Sequence, residues 1–192
     1  MIEERQASTY NGYTAIAVLL LLTLATPVAI GVLPMMLKIL MALFGLLVLA
    51  CWLGFFMVAP NQGRVLQLFG RYVGSERSEG LRWANPLYMK AKVSLRVSNF
   101  ESGTLKVNDS KGNPIDIAAV VVWKVVDTAE ALFEVDDYED YVAIQSEAAI
   151  RNMATSYPYD DHEGESITLR GSANEIGDIL KSEVQDRLGK AG

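Results

Sequence analysis

The sequence predicts an α+β protein in which an N-terminal transmembrane helical hairpin precedes one domain of strands and helices. Three observations predict this fold class. Residues 13–59 form an apolar run whose only charged residue is Lys38. Residues 63–126 are rich in β-branched side chains and are punctuated by glycine, as in antiparallel strands. From residue 127 onward, N-cap signals precede apolar residues at helical spacing.

The apolar run is long enough to cross a bilayer twice. At about 1.5 Å of rise per residue it would extend roughly twice the ~30 Å hydrocarbon core. Gly31 and Pro34 interrupt it, so we expect a first helix near residues 13–33 and a second near 38–58, after a polar tail at 1–12. Pro27 lies inside the first helix, where neighbouring groups must satisfy the carbonyl that it leaves free.

A signal sequence followed by one anchor is the alternative. A secretory signal has a positively charged start and a short apolar core. Here Glu3, Glu4 and Arg5 give a slightly acidic start, and the first apolar segment has spanning length. The pattern therefore favours the hairpin.

Charge predicts which side of the membrane the domain occupies. Residues 60–100 carry seven basic and two acidic side chains, whereas the reversal between the helices carries only Lys38. Basic residues beside a span stay on the cytoplasmic side. Both termini should therefore be cytoplasmic, in the cell (inner) membrane.

The same segment contains the predicted membrane-surface residues. They are Arg64, Arg71, Arg82, Trp83, Lys90 and Lys92. Basic side chains beside aromatic ones suit anionic headgroups, although core aromatics next to a solvated charged face would give the same pattern. Residues 101–192 carry 8 basic and 19 acidic side chains, which would repel nucleic-acid phosphates. The lipid bilayer is thus an expected partner, and nucleic acid is not.

The strand predictions follow the chain. Residues 63–74 predict one strand, and a second begins at Lys92 with strict alternation. Residues 104–126 predict a hairpin of two long strands. The second of these is apolar on both faces over residues 118–122, so we expect it to be central and covered on both sides.

Three helices are predicted after the strands. Asp127 caps a short helix, and a longer one covers residues 137–156. Ser172 and Glu175 form a capping box that opens the last helix. That helix carries an apolar stripe, and its predicted oligomer contacts are Ile176, Leu180, Val184 and Leu188. The stripe must pack on its own domain or on a neighbouring subunit.

Catalysis is not predicted. His162 is the only histidine; with Asp160, Asp161 and Glu163 it could hold a metal or act as an acid–base group, but a solvated loop explains the cluster as well. Cys51, in the second apolar segment, is the single cysteine of the sequence. One cysteine can form neither an intrachain disulfide nor a cysteine metal cluster. No cofactor is expected.

Three segments carry a family resemblance. They are VAPNQGRVLQLFGRYVGSERSEGLRWANPLY, NFESGTLKVNDSKGNPIDIAAVVVWKVVDTAEALF and QSEAAIRNMATSYPYD. From about Val58 to the end, the chain resembles the SPFH (band 7) domain of the stomatin, prohibitin and flotillin families, and bacterial slipin-type proteins most of all. Residues 60–192 would then form that domain.

The resemblance implies a function without catalysis. Such proteins form homo-oligomeric rings or cages that act as scaffolds for membrane microdomains, in some cases around a membrane protease. A regulatory adaptor subunit of a membrane protease or transporter is the alternative. Family members usually continue with another strand and a long coiled coil, so the resemblance implies a chain truncated at its C-terminal end, after Gly192.

Overall fold

The structure of the chain, a computed structural model, describes residues 4–160 and 167–189. It divides into two compact units, Glu4–Leu95 and the described residues from Arg96 onward. The first unit contains β1 (Tyr10–Asn11), α1 (Gly12–Val32), α2 (Met35–Cys51), a 3-10 turn (Trp52–Gly54), β2 (Phe55–Val58), β3 (Gln62–Leu68), β4 (Arg71–Glu76), β5 (Gly80–Trp83) and β6 (Met89–Ser94). An α+β architecture with two leading apolar helices is confirmed.

The two apolar helices form a tight hairpin. Only Leu33 and Pro34 separate α1 from α2, and the helices pack against each other. Each is long and apolar enough to cross a membrane. Most of their large side chains point outward; Leu21, for example, is 70% exposed. An exposed apolar surface of this extent is typical of a segment that contacts lipid or another protein.

The second helix differs from its predicted bounds. It begins at Met35 and ends at Cys51, and Phe55–Val58, which was expected to be helical, is strand β2. The difference has a tertiary cause. Gly54 lies where a Cβ would overlap the indole of Trp83, and this close approach lets β2 pair with β5. Phe-Phe-Met-Val suits a half-buried strand as well as a membrane helix.

Polar groups inside the hairpin satisfy one another. Pro27 lacks an N–H, so the carbonyl of Thr23 receives no helical hydrogen bond from it. The hydroxyl of Thr26 donates to that carbonyl at 3.0 Å. Trp52 Nε1 donates to the Thr23 hydroxyl at 3.3 Å, and this hydroxyl donates to the carbonyl of Leu19 at 2.6 Å. The groups exposed by the proline are thus paired, as a bilayer demands.

The first unit also contains two three-stranded antiparallel sheets. One has the order β1-β5-β2 and the other β4-β3-β6. Their common core is small and consists of Ala7, Phe56, Val58, Leu66 and Ala84. The single strand predicted over residues 63–74 is in fact the hairpin β3–β4, because Phe69 and Gly70 both have positive φ and reverse the chain.

The predicted polar tail is an ordered part of this unit. The N–H of Ala7 donates to the carbonyl of Ser75 at 2.9 Å, and the N–H of Ser75 donates to the carbonyl of Arg5 at 2.7 Å. The side chain of Ala7 is buried in the core. Tyr10 pairs with Trp83 as β1 joins β5. Since both ends of the helical hairpin belong to one packed unit, they must lie on the same side of any membrane that the hairpin enters.

The second unit contains four strands and three helices within the described residues. They are β7 (Ser98–Glu101), β8 (Leu105–Asn108), β9 (Pro114–Ile117), β10 (Val120–Trp123), α3 (Thr128–Phe133), α4 (Tyr138–Ser156) and α5 (Ala173–Leu188). The strand expected to run on from Lys92 is interrupted, since β6 ends at Ser94 and β7 begins at Ser98. Two short strands thus replace the predicted long one.

The strand predicted as central is also divided. Residues 114–117 pair with β8, whereas residues 120–123 pair with β7. Next to the break, the N–H of Ser102 donates to the carbonyl of Ala119 and the Ser102 hydroxyl accepts from the N–H of Ala119, both at 3.0 Å. Val120 and Val122 are 64% and 65% exposed. The prediction that residues 118–122 are covered on both faces is therefore wrong for the chain alone.

The helix starts were predicted with mixed success. Asp127 and Asp137 accept hydrogen bonds from the first N–H groups of α3 and α4, as expected of N-caps. Ser172 caps nothing with its side chain, so the predicted capping box is wrong. The hydroxyl of Thr168 instead accepts from the N–H of Gly171 at 2.9 Å and stabilises the preceding turn.

Asp109 ties the β8–β9 turn to the end of α4. Its buried carboxylate accepts from the N–H groups of Lys111, Asn113 and Tyr159 at 2.7–3.0 Å, and from the amide of Asn113 at 3.0 Å. Burial alone would raise the pKa of this carboxyl, but the four donors outweigh it and lower the pKa to about 2. The charged form is therefore the one that the fold stabilises.

We expect this clamp to open on acidification. Because the folded pKa lies below the unfolded value of about 4, the stabilisation is complete above pH 4 and is lost as the pH falls towards 2. Asp109→Asn should mimic this loss at neutral pH and speed amide exchange at Lys111, Asn113 and Tyr159 roughly tenfold. Hydrogen–deuterium exchange of the full chain measures it. Asp116→Asn, on an exposed carboxylate of the same hairpin, is the control.

Candidate functional site

The carbonyl groups where α2 ends are bound by side chains of the β-strands. Trp83 Nε1 donates to the carbonyl of Cys51 at 2.8 Å, and Lys90 Nζ donates to the carbonyl of Leu53 at 2.8 Å. The last carbonyls of a helix have no partner within it and carry partial negative charge. An indole N–H and an ammonium group therefore cap the second apolar helix from outside.

Lys90 is partly withdrawn from water by this arrangement. Its ammonium group lies 5.9 Å from the ring centre of Phe56, within cation–π range. Burial lowers the pKa of Lys90. Arg64 makes a related contact, since its Nε donates to the carbonyl of Met57 at 3.1 Å. Three of the six predicted membrane-surface residues thus bind the segment that leaves α2.

The other three predicted surface residues behave differently. Arg71 and Lys92 are exposed, and Arg82 is half-buried. Burial would raise the pKa of the neighbouring Glu76, but hydrogen bonds from Thr9 and Ser78 and the charge of Arg82 lower it. The structure therefore divides the predicted set into residues that hold the helix end and residues that remain available to a surface.

The apolar stripe of the last helix is also divided. Ile176 and Val184 are 7% and 6% exposed, because α5 packs on α4. The hydroxyl of Tyr141 donates to the carbonyl of Arg187 at 3.2 Å, and the amide of Asn152 donates to Glu183 at 2.8 Å across the same interface. Two of the four predicted oligomer contacts are therefore core residues of the chain itself.

Leu180 and Leu188 line a groove of about 970 Å³. Its other walls come from β10 and α4, and its lining includes Val120, Val122, Trp123, Tyr138 and Val142. The strand β10 pairs with β7 alone in the part of the chain that the structure describes. An apolar groove beside an unpaired strand edge is a typical protein-docking surface.

The candidate acid–base cluster cannot be placed. Asp161, His162 and Glu163 lie outside the described residues. Asp160 is described and pairs with Arg170 at 3.1 Å. Within residues 4–160 and 167–189, no group of three or more His, Cys, Asp or Glu side chains could hold a metal ion.

Comparison with known protein families identifies the domain. Residues 57–192 match the SPFH domain / Band 7 family. The chain belongs to this family. No curated protein matches it closely enough to name a relative. The match begins inside β2 and so includes the strands that cap α2, the whole β4-β3-β6 sheet and the α4–α5 pair of this SPFH protein, whereas β1 precedes it.

Sequence reasoning missed two features of the SPFH domain. It treated Trp83 and Lys90 as surface groups, although they cap a helix; a Trp and a Lys among basic residues give no signal that separates these roles. It also took Phe69 as an interior strand residue, whereas Phe69 is 83% exposed at a hairpin tip. The signal for the tip was Gly70, which could have been interpreted as half of a two-residue turn.

The cap made by Trp83 should be measurable. Trp83→Phe keeps an aromatic ring but removes the N–H that donates to the carbonyl of Cys51. We therefore expect the free energy of unfolding to fall by about 1 kcal/mol and the Tm to fall by roughly 2–4 °C. Circular dichroism of the full chain in detergent measures the transition. The control is Trp123→Phe, since the Trp123 indole donates no hydrogen bond within the described residues. An equal effect of the two substitutions would argue against the cap.

Proposed function

We propose that the protein is a membrane-anchored oligomeric scaffold that organises membrane microdomains and partner membrane proteins. The observation that carries this proposal is the combination of an SPFH domain with two outward-facing apolar helices packed as a hairpin. Side chains of the domain are hydrogen-bonded to the end of α2, which supports a domain that is fixed to its membrane segment. Its role would be binding and positioning, without catalysis.

The hairpin is proposed to cross the inner membrane twice. Pro27 leaves the carbonyl of Thr23 without a helical hydrogen bond, and the hydroxyl of Thr26 donates one to it instead. Such pairing within the helix suits an environment without water. The tail and the strands from β2 to β6 belong to one packed unit, so both would face the same side. The basic residues that follow α2 favour the cytoplasm for that side.

Thiol labelling tests this topology. In a Cys51→Ala background, Ser8→Cys and Glu79→Cys should react with a membrane-impermeant maleimide from the cytoplasmic side, because both positions are exposed on the first unit. Met35→Cys, at the reversal, should react only from the opposite side. Opposite sidedness of positions 8 and 79 would contradict the hairpin, and cytoplasmic labelling of position 35 would show that it enters without crossing.

Assembly is proposed to use the groove between β10, α4 and α5. The exposed valines of β10 and the half-buried Leu180 offer apolar surface beside an unpaired strand edge. A neighbouring copy of the SPFH domain is the proposed occupant in a ring or cage. Ile176 and Val184 would contribute indirectly, by holding α5 in place.

Two substitutions on α5 separate assembly from folding. Leu180→Glu places a charge in the groove and should lower the mass of the assembly or dissociate it, while the circular dichroism spectrum stays unchanged. Val184→Glu places the same charge in the core and should unfold the second unit, because Val184 is 6% exposed. Light scattering after size exclusion in mild detergent measures the mass.

The control adds the same charge on another face of α5. Ser182→Glu lies about 200° from Leu180 around the helix and is exposed, so it should leave the mass unchanged. A Leu180→Glu protein with the wild-type mass would contradict assembly through the groove. A wild-type protein that is monomeric alone, yet enters a complex with a membrane protease or transporter, would favour the adaptor function instead.

A further inference from the structure

The tip of the β3–β4 hairpin carries an unexpected residue. Phe69 and Gly70 are the two central residues of the turn, with φ of 49° and 84°. Turns of this kind are usually built from Asn, Asp or Gly, because other side chains are strained at positive φ. A bulky phenylalanine in this conformation, with its side chain 83% exposed, is not explained by the packing of the domain.

Two further apolar side chains lie at the same end of the sheet. Met89 begins β6 and pairs with Gln67, two residues before the tip. Leu87 precedes it and is also exposed; the two side chains are 65% and 61% accessible. We call Phe69, Leu87 and Met89 the hydrophobic tip. Monomeric soluble domains seldom expose neighbouring large apolar side chains without a binding function.

The hydrophobic tip points towards the apolar helices. Arg64 in β3 binds the carbonyl of Met57, whereas Lys90, which pairs with Leu66 in β3, binds the carbonyl of Leu53. Arg64 thus lies beside the later residue Met57, and Leu66 lies nearer to the earlier residue Leu53. The strand β3 therefore runs towards the end of α2. Phe69 lies three residues further, or about 10 Å at the usual strand rise. It thus reaches at least the level of the last turn of α2.

The opposite end of the same strand is polar. Asn61 precedes β3, is exposed, and has a φ of 56°, close to that of Phe69. The next residue, Gln62, pairs with Ser94. The residues at the two ends of β3 therefore have a similar positive φ but opposite polarity, and the apolar end is the one beside the helices.

We propose that the hydrophobic tip inserts into the headgroup–acyl boundary of the bilayer that holds α1 and α2. This rests on the proposed membrane hairpin and adds a second, shallow attachment to it. Arg71 pairs with Leu68 in the strand register next to the turn, and its exposed guanidinium would meet anionic headgroups. The tip and the helix cap would together set the tilt of the β-sheets on the membrane.

Nitroxide accessibility in the full chain tests the insertion. In a Cys51→Ala background, labels are placed at Phe69→Cys and at Asn61→Cys, which shares its backbone conformation. Vesicles contain phosphatidylcholine with a quarter phosphatidylglycerol. We expect the ratio of oxygen to nickel-chelate collision rates to be several-fold higher at position 69 than at position 61. A label at position 69 that meets the nickel chelate as often as position 61 overturns the proposal. Protection from both reagents also overturns it, because it indicates a protein contact.

A label at Leu40→Cys separates failure of the tip from failure of the hairpin. Leu40 is 62% exposed on α2 and should meet oxygen and exclude the nickel chelate if the helix is in the bilayer. Water accessibility at position 40 would contradict the hairpin itself. Oxygen access at position 40 with nickel access at position 69 would contradict the tip alone.

Phe69→Asn gives a second, independent measurement. Asparagine fits this backbone conformation, as Asn61 shows, so the turn should remain folded. With the label moved to Leu87→Cys, the substitution should raise nickel accessibility several-fold as the tip leaves the boundary. Unchanged accessibility would show that Phe69 does not hold the tip in the membrane.

Discussion

The hydrogen bonds that terminate α2 are the interaction on which the first unit depends. A helix that leaves an apolar solvent exposes its last carbonyls at the boundary, where neither the helix nor bulk water fully serves them. Trp83 and Lys90 satisfy the carbonyls of Cys51 and Leu53. Both side chains come from strands that pair with, or pack on, the segment leaving the helix, so the end of the anchor and the start of the domain form together.

This arrangement makes the N-terminal residues structural. The strand β5 pairs with β2 on one edge and with β1 on the other, so the residues before α1 and after α2 meet on one strand. The residues before α1 and after α2 also share one hydrophobic core, because Ala7 packs with Phe56 and Val58. A shortened chain that begins after the hairpin would therefore lose β1 from one edge of β5 and Ala7 from the core. The two apolar helices are an integral part of the first unit.

The second unit shows how a buried carboxylate can replace hydrophobic packing. Asp109 gathers four donors from its own turn and from the residues after α4, which positions the β8–β9 hairpin against that helix end. The same unit leaves an apolar groove beside β10. A stabilised hairpin and an exposed apolar groove thus occur in neighbouring elements of one unit.

The sequence alone determined the features that depend on composition and on local signals. The apolar run has the length of two helices, Pro34 separates them, and Asp127 and Asp137 begin α3 and α4 because an N-cap acts within its own turn. Three sequence segments were enough to indicate the SPFH domain. Tertiary structure decided where the second helix ends, because Phe-Phe-Met-Val suits a membrane helix and a strand equally until β5 pairs with it. It also decided that Trp83 and Lys90 cap a helix and that Ile176 and Val184 are core residues, since an apolar stripe or a basic segment does not specify its partner.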